Sequence, residues 1–440
     1  MEKNINLMGS YLPLMIVIIG LGTGGLYAAR WASKINRKEK ITIIERRSYE
    51  TYSPCSIPLV IEGLVDAKEI IHPFPRTPRI ELLLEHEAVE ILPEEKIVRY
   101  RKLGENELKE IKYDKLIFGA GAVPAIPPIK GVEKKGVFTV RTVEDAVNIE
   151  KWASESKKAL VVGAGAIGVE MAYALRKKGL DVTIVEMLSY PFPRNLDEDM
   201  AKIVDEKLRS EGIETYYNSK VEEIIGEEKV KGVIVNGEKI DADMVIISAG
   251  VKPNFHLLRG KVNMDERGFI LVNERMETSN EDIYAVGDCA RTPYGAIQLA
   301  TIAAREGIVA GINAAGGNAI YLPNTGAFVS SIGSFEVACV GERGEIMGRG
   351  HSTVTPYSKK DVYLKIFIDR EGNIKGAQAV GYQASRRIDV ISALMRKGAK
   401  VWDVAFMEYA YCPAVSNLYD AVQMAADNAL RRLKIERYVV

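Results

Sequence analysis

Cysteine is scarce in this 440-residue chain: Cys55, Cys289, Cys339 and Cys412, widely scattered. Four such residues cannot build a disulfide framework, and they point to a reducing, cytoplasmic setting. Histidine is as rare (His72, His86, His256, His351). With no H-x-x-H, C-x-x-C or paired-carboxylate spacing, no metal site is expected. An excess of one charge is missing too. Lys+Arg and Asp+Glu both number 59, so nothing draws the chain generally toward nucleic acid or an anionic membrane. Glutamine is confined to Gln298, Gln378, Gln383 and Gln423 amid abundant Lys and Glu, a balance found in heat-resistant proteins. A membrane span, which needs ~20 apolar residues, is also lacking. The nearest stretch, residues 11–29, contains Gly20, Gly22, Gly24 and Gly25 and runs into Arg30, Lys34, Arg37 and Lys38. It lacks the cleavage site of a signal peptide. Residues before Met15 read as an extension from an early start codon.

What is present is ordinary for a globular protein, 47% hydrophobic and 27% charged residues. Disorder, collagen and coiled coil are thereby excluded. At roughly 150 residues per domain, the length suggests about three domains.

One pattern occurs twice. The β-branched run 14–19 (LMIVII) stops at Gly20, and the run 160–162 (LVV) stops at Gly163. Each leads through a glycine cluster and a helical stretch to a second β-branched run ending in an acid, at Glu45 and Glu186. Continuous apolar runs fit parallel strands buried on both faces. Two such βαβ units predict two Rossmann-like nucleotide folds in an α/β protein. Beyond about residue 322 the runs alternate (327–332, 337–340, 363–368, 376–380), and helical stretches follow near 388–396 and 419–433. This predicts a C-terminal α+β module.

The clusters read Gly20-Leu21-Gly22-Thr23-Gly24-Gly25 and Gly163-Ala164-Gly165-Ala166-Ile167-Gly168, both G-x-G-x-x-G. The first glycine permits the turn and the second admits a pyrophosphate. The third (Gly25, Gly168) lets helix and strand pack, with the phosphate on the helix N-terminus. Glu45 and Glu186 are placed to accept from ribose hydroxyls. An acid at 186, followed by uncharged Met187 and Leu188, favours NADH over NADPH. Arg46, beside Glu45, and Gly250, where the run 244–247 ends, are counted with the cofactor residues.

The segment Thr278-Ser279-Asn280-Glu281-Asp282-Ile283-Tyr284-Ala285-Val286-Gly287-Asp288 resembles the flavin-holding T-x5-YAxGD motif of the pyridine nucleotide-disulfide oxidoreductase superfamily. The resemblance runs from about Met15 to the C-terminus. It implies FAD on residues 14–125 and 253–322, with Asp288 on the ribityl chain. It implies NADH or NADPH on residues 126–252 and a dimerisation domain over 323–440. Residues 118–124, with Ala120 and Gly121, look like the family's ATG-x-x-P connection. Leu299, Ala300 and Thr301 look like the helix start beneath the flavin. Glu170 matches a position near the nicotinamide–flavin junction.

Cys55 lies in Ser53-Pro54-Cys55-Ser56-Ile57-Pro58, with no second cysteine nearby. Pro58 suits the first turn of a helix. Cys55 is therefore expected beside a helix N-terminus, which favours its thiolate. Its oxidised partner must come from outside: a small thiol, sulfur, or its own sulfenic acid. A single thiol here resembles the branch of coenzyme A-disulfide reductases, NADH oxidases and NADH peroxidases. Thr51 holds the place of the motif's serine, and Leu59 that of its tyrosine. Thr23 stands where oxidases and peroxidases usually carry histidine, which favours the thiol and sulfur branch. Residues 408–413 (EYAYCP) look like the reductases' YAYxP segment, which implies that Tyr409 and Tyr411 of a partner subunit reach the thiol. Lys34, Thr51 and Ser53 are the substrate candidates, with Lys34 for coenzyme A phosphates. Cys412 is a candidate resolving thiol, and Cys289 and Cys339 are read as core. The expected protein is a homodimeric flavoprotein acting on a small disulfide or sulfur substrate, coenzyme A disulfide or polysulfide. Oxygen reduction through a Cys55 sulfenic acid and reduction of a small electron-transfer protein are the rival readings.

Overall fold

The computed structural model describes residues 14–36, 38–75 and 77–433; the expected N-terminal extension and Arg37 lie outside them. The chain divides into two compact units. The first gathers residues 14–53, 71–123 and 252–323, and the second residues 54–70, 124–251 and 324–433.

The first unit is built on a parallel sheet in the order Ile283–Ala285, Lys115–Phe118, Met15–Ile19, Lys40–Ile44, Ile80–Leu83. Its central residues Ile16, Val17 and Ile18 are fully buried, as an unbroken apolar strand covered on both faces must be. Helices Thr23–Ile35 and Ala300–Ala314 pack backbone against backbone. A Cβ on Gly307 would overlap the Gly24 carbonyl, and one on Gly311 the Ala28 carbonyl. An antiparallel sheet of His86–Leu92, Ile97–Lys102 and Lys109–Lys112 belongs to the same unit.

The second unit holds another parallel sheet: Val137–Thr139, Met244–Ile247, Lys158–Val162, Asp181–Val185, Ile213–Tyr216. It also holds the C-terminal antiparallel sheet, in the order Phe328–Ile332, Phe335–Gly341, Ile374–Tyr382, Asp361–Ile368, Ile346–Thr353. A polar clasp ties this second sheet to the nucleotide-type module. Lys365 is 3% exposed, and its Nζ lies 3.0 Å from Asp197 and also meets Asp199. Gln378 Oε1 accepts the Asp197 N–H at 3.0 Å, and Arg343 Nε reaches Asp197 at 2.6 Å.

Three sequence expectations are adjusted. Residues 54–70, expected within 14–125, cluster with the second unit, because helix Ile57–Glu62 packs on helices Val143–Glu155 and Ala166–Lys177. The helix expected near 388 begins at Ala384, after Gln383 in the left-handed region. The last helix begins at Ala421, because Asp420 caps it by accepting the Val422 N–H at 3.0 Å. Among the described residues, no helix is long and apolar enough to cross a membrane.

Candidate functional site

In the first unit, strand Met15–Ile19 stops at Gly20, which takes φ +90. A Cβ on Gly25 would overlap the Gly20 carbonyl oxygen, so the third glycine of the cluster must lack a side chain. Gly22 caps helix Thr23–Ile35 without a side-chain hydrogen bond, and a Cβ there would meet nothing within 4 Å. The helix therefore presents uncapped N–H groups to open space, a cradle that fits a pyrophosphate.

Glu45, at the strand end beyond, is buried and crowded with donors. Its Oε1 accepts from Arg47 N (2.9 Å) and Nε (2.8 Å), and its Oε2 from Leu21 N (2.6 Å) and Arg47 Nη2 (2.7 Å). Burial pushes its carboxyl up, but pairing with Arg47 and the backbone N–H groups outweigh this and hold it below the usual range. The Arg47 guanidinium also lies over the rings of Tyr52 and Tyr49, at 4.5 and 5.4 Å. Arg46, the cofactor candidate beside Glu45, is exposed, and its neighbour Arg47 is the one that grips Glu45. Both arginines lie beyond the end of strand Lys40–Ile44, and nothing in the pair Arg46-Arg47 marks which one turns inward.

Ala120 and Gly121 follow strand Lys115–Phe118, and the Gly121 carbonyl accepts the Asn254 N–H at 2.9 Å. Asp288 sits in the turn Gly287–Cys289 just after strand Ile283–Ala285. Leu299 caps the helix that opens with Ala300 and exposed Thr301. The Gly287 N–H donates to Glu306 Oε2 at 2.7 Å, a contact that sequence reasoning missed. The available signal was the single acid in a helix made mostly of Ala, Gly, Ile and Val.

The second cradle repeats this geometry within the second unit. Gly163 takes φ +104, a Cβ on Gly168 would overlap the Gly163 carbonyl, and Gly165 caps helix Ala166–Lys177 with open space around it. Ile167 is exposed at the helix start. Here the acid is less occupied. Glu186 accepts only the Ala164 N–H (2.7 Å, Oε2) and the Leu188 N–H (2.8 Å, Oε1), leaving acceptor capacity for a ribose. Gly250 accepts the Ala125 N–H at 2.8 Å. Glu170 turns to the C-terminal sheet, where its Oε1 accepts from Ser330 Oγ at 2.7 Å. Burial raises its carboxyl, opposed by the Ser330 hydrogen bond.

Cys55 is exposed in the 3-10 turn Pro54–Ser56, which runs into helix Ile57–Glu62 with Pro58 in its first turn. In the first unit, Thr51 Oγ1 donates to the His72 carbonyl at 2.9 Å, and Ser53 Oγ lies 2.9 Å from His72 Nε2. Lys34 is exposed, its Nζ 4.7 Å from the Trp31 ring.

The two tyrosines differ. Tyr411 is half exposed, whereas the Tyr409 hydroxyl is buried without a hydrogen-bond partner, in a side chain packed on the C-terminal core. Of the two hydroxyls, that of Tyr409 is the one sealed from solvent. Cys412, beside Tyr411, is exposed and donates its N–H to Ser416 Oγ at 3.0 Å. Cys289 is fully buried, which pushes its thiol up to about 12. Cys339 is only partly buried and accepts from Asn195 Nδ2 at 3.5 Å. Among the described residues, no cluster of three or more His, Cys, Asp or Glu side chains could hold a metal ion.

Residues 14–307 match the family described as pyridine nucleotide-disulphide oxidoreductase, and residues 333–422 match its dimerisation domain. The chain is 38% identical to an NADH oxidase of Methanocaldococcus jannaschii, over 95% of this chain and 99% of that protein. It is 32% identical to an NAD(P)H sulfur oxidoreductase (CoA-dependent) of Pyrococcus furiosus, over 93% and 98%. Among solved structures, an NAD-dependent persulfide reductase from A. fulgidus superposes with a TM-score of 0.90 at 30% identity, covering 95% of this chain and 83% of that one.

Proposed function

We propose that this chain, which belongs to the pyridine nucleotide-disulphide oxidoreductase family, uses NAD(P)H and FAD to reduce coenzyme A disulfide, polysulfide or sulfane sulfur through Cys55. One observation carries the reading. An exposed thiol sits in a turn opening a helix, with no second cysteine in its sequence segment, in a chain that also builds two dinucleotide cradles. The relatives named sulfur oxidoreductase and persulfide reductase support it.

The first cradle takes FAD, on residues 14–125 and 253–322, through the N–H groups beyond Gly22 and through Asp288. The second, residues 126–252, takes the nicotinamide cofactor, with Glu186 on the ribose. When bound, FAD supplies the ring that turns hydride from NAD(P)H into an electron pair for sulfur.

The Cys55 thiolate attacks one sulfur of the disulfide, forming a mixed disulfide and releasing the other half as a thiolate. Two electrons from bound FAD would cleave the mixed disulfide, release the second thiolate and restore the Cys55 thiolate. With polysulfide, the intermediate is a Cys55 persulfide. The Cys55 position at a helix entrance favours its thiolate. Residues 323–440 form a homodimer interface, and Tyr411 of the partner subunit orients the disulfide or protonates the leaving thiolate. Lys34, Thr51 and Ser53 contact the coenzyme A portion, and the protein works in the cytoplasm.

The relative named NADH oxidase favours a second reading, oxygen reduction through a Cys55 sulfenic acid. The test is anaerobic NADH and NADPH oxidation with coenzyme A disulfide or polysulfide, against oxygen and peroxide, in wild type and Cys55→Ser. Turnover with the sulfur substrates that disappears in Cys55→Ser supports the proposal. Turnover with oxygen alone overturns it, as does sulfur reduction that survives the substitution.

A further inference from the structure

The first unit encloses a buried acid, on the helix after the flavin-type turn, that the mechanism above does not use. Glu306 lies on helix Ala300–Ala314 and is 3% exposed. Its Oε2 accepts the N–H of Gly287, which takes φ +75 and immediately precedes Asp288. The adjacent Gly307 presses on the Gly24 backbone, where a Cβ would overlap the Gly24 carbonyl. A Cβ on Gly24 would in turn lie 2.9 Å from Val286 Cγ2. Glu306 is thus wedged where the first glycine helix, the turn Val286–Asp288 and helix Ala300–Ala314 converge.

The groups facing Glu306 supply little counter-charge. Asp288, on the turn, repels a carboxylate there. Arg305 is its neighbour, but its guanidinium lies over the Tyr321 ring at 5.0 Å and donates to the Leu322 carbonyl at 3.2 Å. Burial pushes the Cys289 thiol up to about 12, and the first glycine helix meets the adjacent Gly307 with the backbone of Gly24 and Ala28. Burial, reinforced by Asp288 and opposed by the Gly287 N–H and by Arg305, pushes the Glu306 carboxyl up to about 8. A buried carboxyl with an anionic neighbour, and with its one nearby cation turned to other partners, favours its protonated form.

We propose that Glu306 is a positioning residue for the flavin-holding turn Gly287–Asp288, and that this cradle binds its dianionic dinucleotide together with one proton on Glu306. The inference rests on the flavoprotein reading above. The Gly287 N–H is held by an acceptor that stays neutral, so the cradle takes a pyrophosphate without stacking another buried negative charge beside Asp288. Loss of that proton adds the charge and weakens binding.

The test uses the FAD-loaded full chain. Holoenzyme of wild type, Glu306→Gln and Glu306→Ala is diluted at pH values from about 6 to 9.5, and free flavin is read by its fluorescence. The wild-type dissociation constant is expected to be flat at low pH and to rise up to about tenfold per unit above about pH 8. Glu306→Gln keeps an acceptor for the Gly287 N–H and never ionises, so its constant stays flat. Glu306→Ala loses the acceptor, and its constant rises about tenfold at every pH. A wild-type constant flat throughout, or a Glu306→Gln slope equal to that of wild type, overturns the proposal. So does a Glu306→Ala constant equal to that of Glu306→Gln. Glu306→Gln is near-isosteric, so the slope comparison decides even where Glu306→Ala fails to fold. Wild-type protein that holds no FAD at any pH overturns the flavoprotein reading itself, a distinguishable outcome.

Discussion

Arg47 forks across Glu45: Nε meets Oε1 at 2.8 Å and Nη2 meets Oε2 at 2.7 Å, with both side chains largely out of water. Removing one partner of a buried pair strands the other charge, which costs about 3–5 kcal/mol where burial is complete. The Arg47 side chain keeps 17% exposure. Arg47→Ala is therefore expected to lower unfolding free energy by about 2–3 kcal/mol. Arg47→Lys, which keeps the charge and loses the fork, should cost about 1 kcal/mol. Urea unfolding measures both, and equal losses for the two variants would show that the fork contributes nothing.

The two cradles allow a paired test of packing against binding. A Cβ on Gly168 would overlap the Gly163 carbonyl, whereas one on Gly165 meets nothing within 4 Å. Gly168→Ala should destabilise the protein by about 3 kcal/mol or more, through forced backbone displacement. Gly165→Ala should change stability by under about 1 kcal/mol, yet it places a methyl where a pyrophosphate is to lie. It is expected to weaken NADH binding more than about tenfold. Thermal melting and NADH titration separate the two effects.

Glu186 has two backbone donors and spare acceptor capacity. A carboxylate that accepts from ribose also repels a 2′-phosphate. Glu186→Gln should weaken NADH by about tenfold and narrow the gap between NADH and NADPH. Dissociation constants for both nucleotides check this, and an unchanged ratio would remove Glu186 from nucleotide selection.

Glu39 predicts a pH effect on stability. It is buried at the start of strand Lys40–Ile44, with Oε2 lacking a partner and Oε1 held by Asn36. Burial pushes its carboxyl up to about 7, opposed by Asn36 and Arg79. Because the folded-state value is raised, the folded state binds more protons than the unfolded state above the ordinary glutamate range. Stability therefore falls as pH rises from about 4.5 to about 7 and then levels off. Glu39→Gln should leave stability at pH 4 unchanged and raise it by about 1–3 kcal/mol at pH 7.5. Denaturant unfolding at the two pH values measures the difference.

Much of this protein is determined by sequence alone, because glycine spacing and unbroken β-branched runs are local properties. Gly20, Gly25, Gly163 and Gly168 mark their turns wherever a strand feeds a helix, and the acids at 45 and 186 close each βαβ unit at a predictable distance. Cys55 beside Pro58 announces a helix entrance in the same way. The rest was decided by tertiary structure, because it depends on which side chains meet across long stretches of chain. Nothing in the sequence shows that Arg47 rather than Arg46 turns inward to occupy Glu45, while Glu186 keeps acceptor capacity. Tyr409 and Tyr411 look equivalent in a short motif. Packing on the C-terminal core seals one hydroxyl and leaves the other ring half exposed. Glu170 reaches Ser330 across 160 residues, and Glu306 reaches Gly287 only because Gly24, Gly307 and Gly311 let two helices touch. Burial and the company a charge keeps are set by the whole fold, and these decide which of the acids legible in the sequence holds a proton, pairs with a cation or keeps spare acceptor capacity.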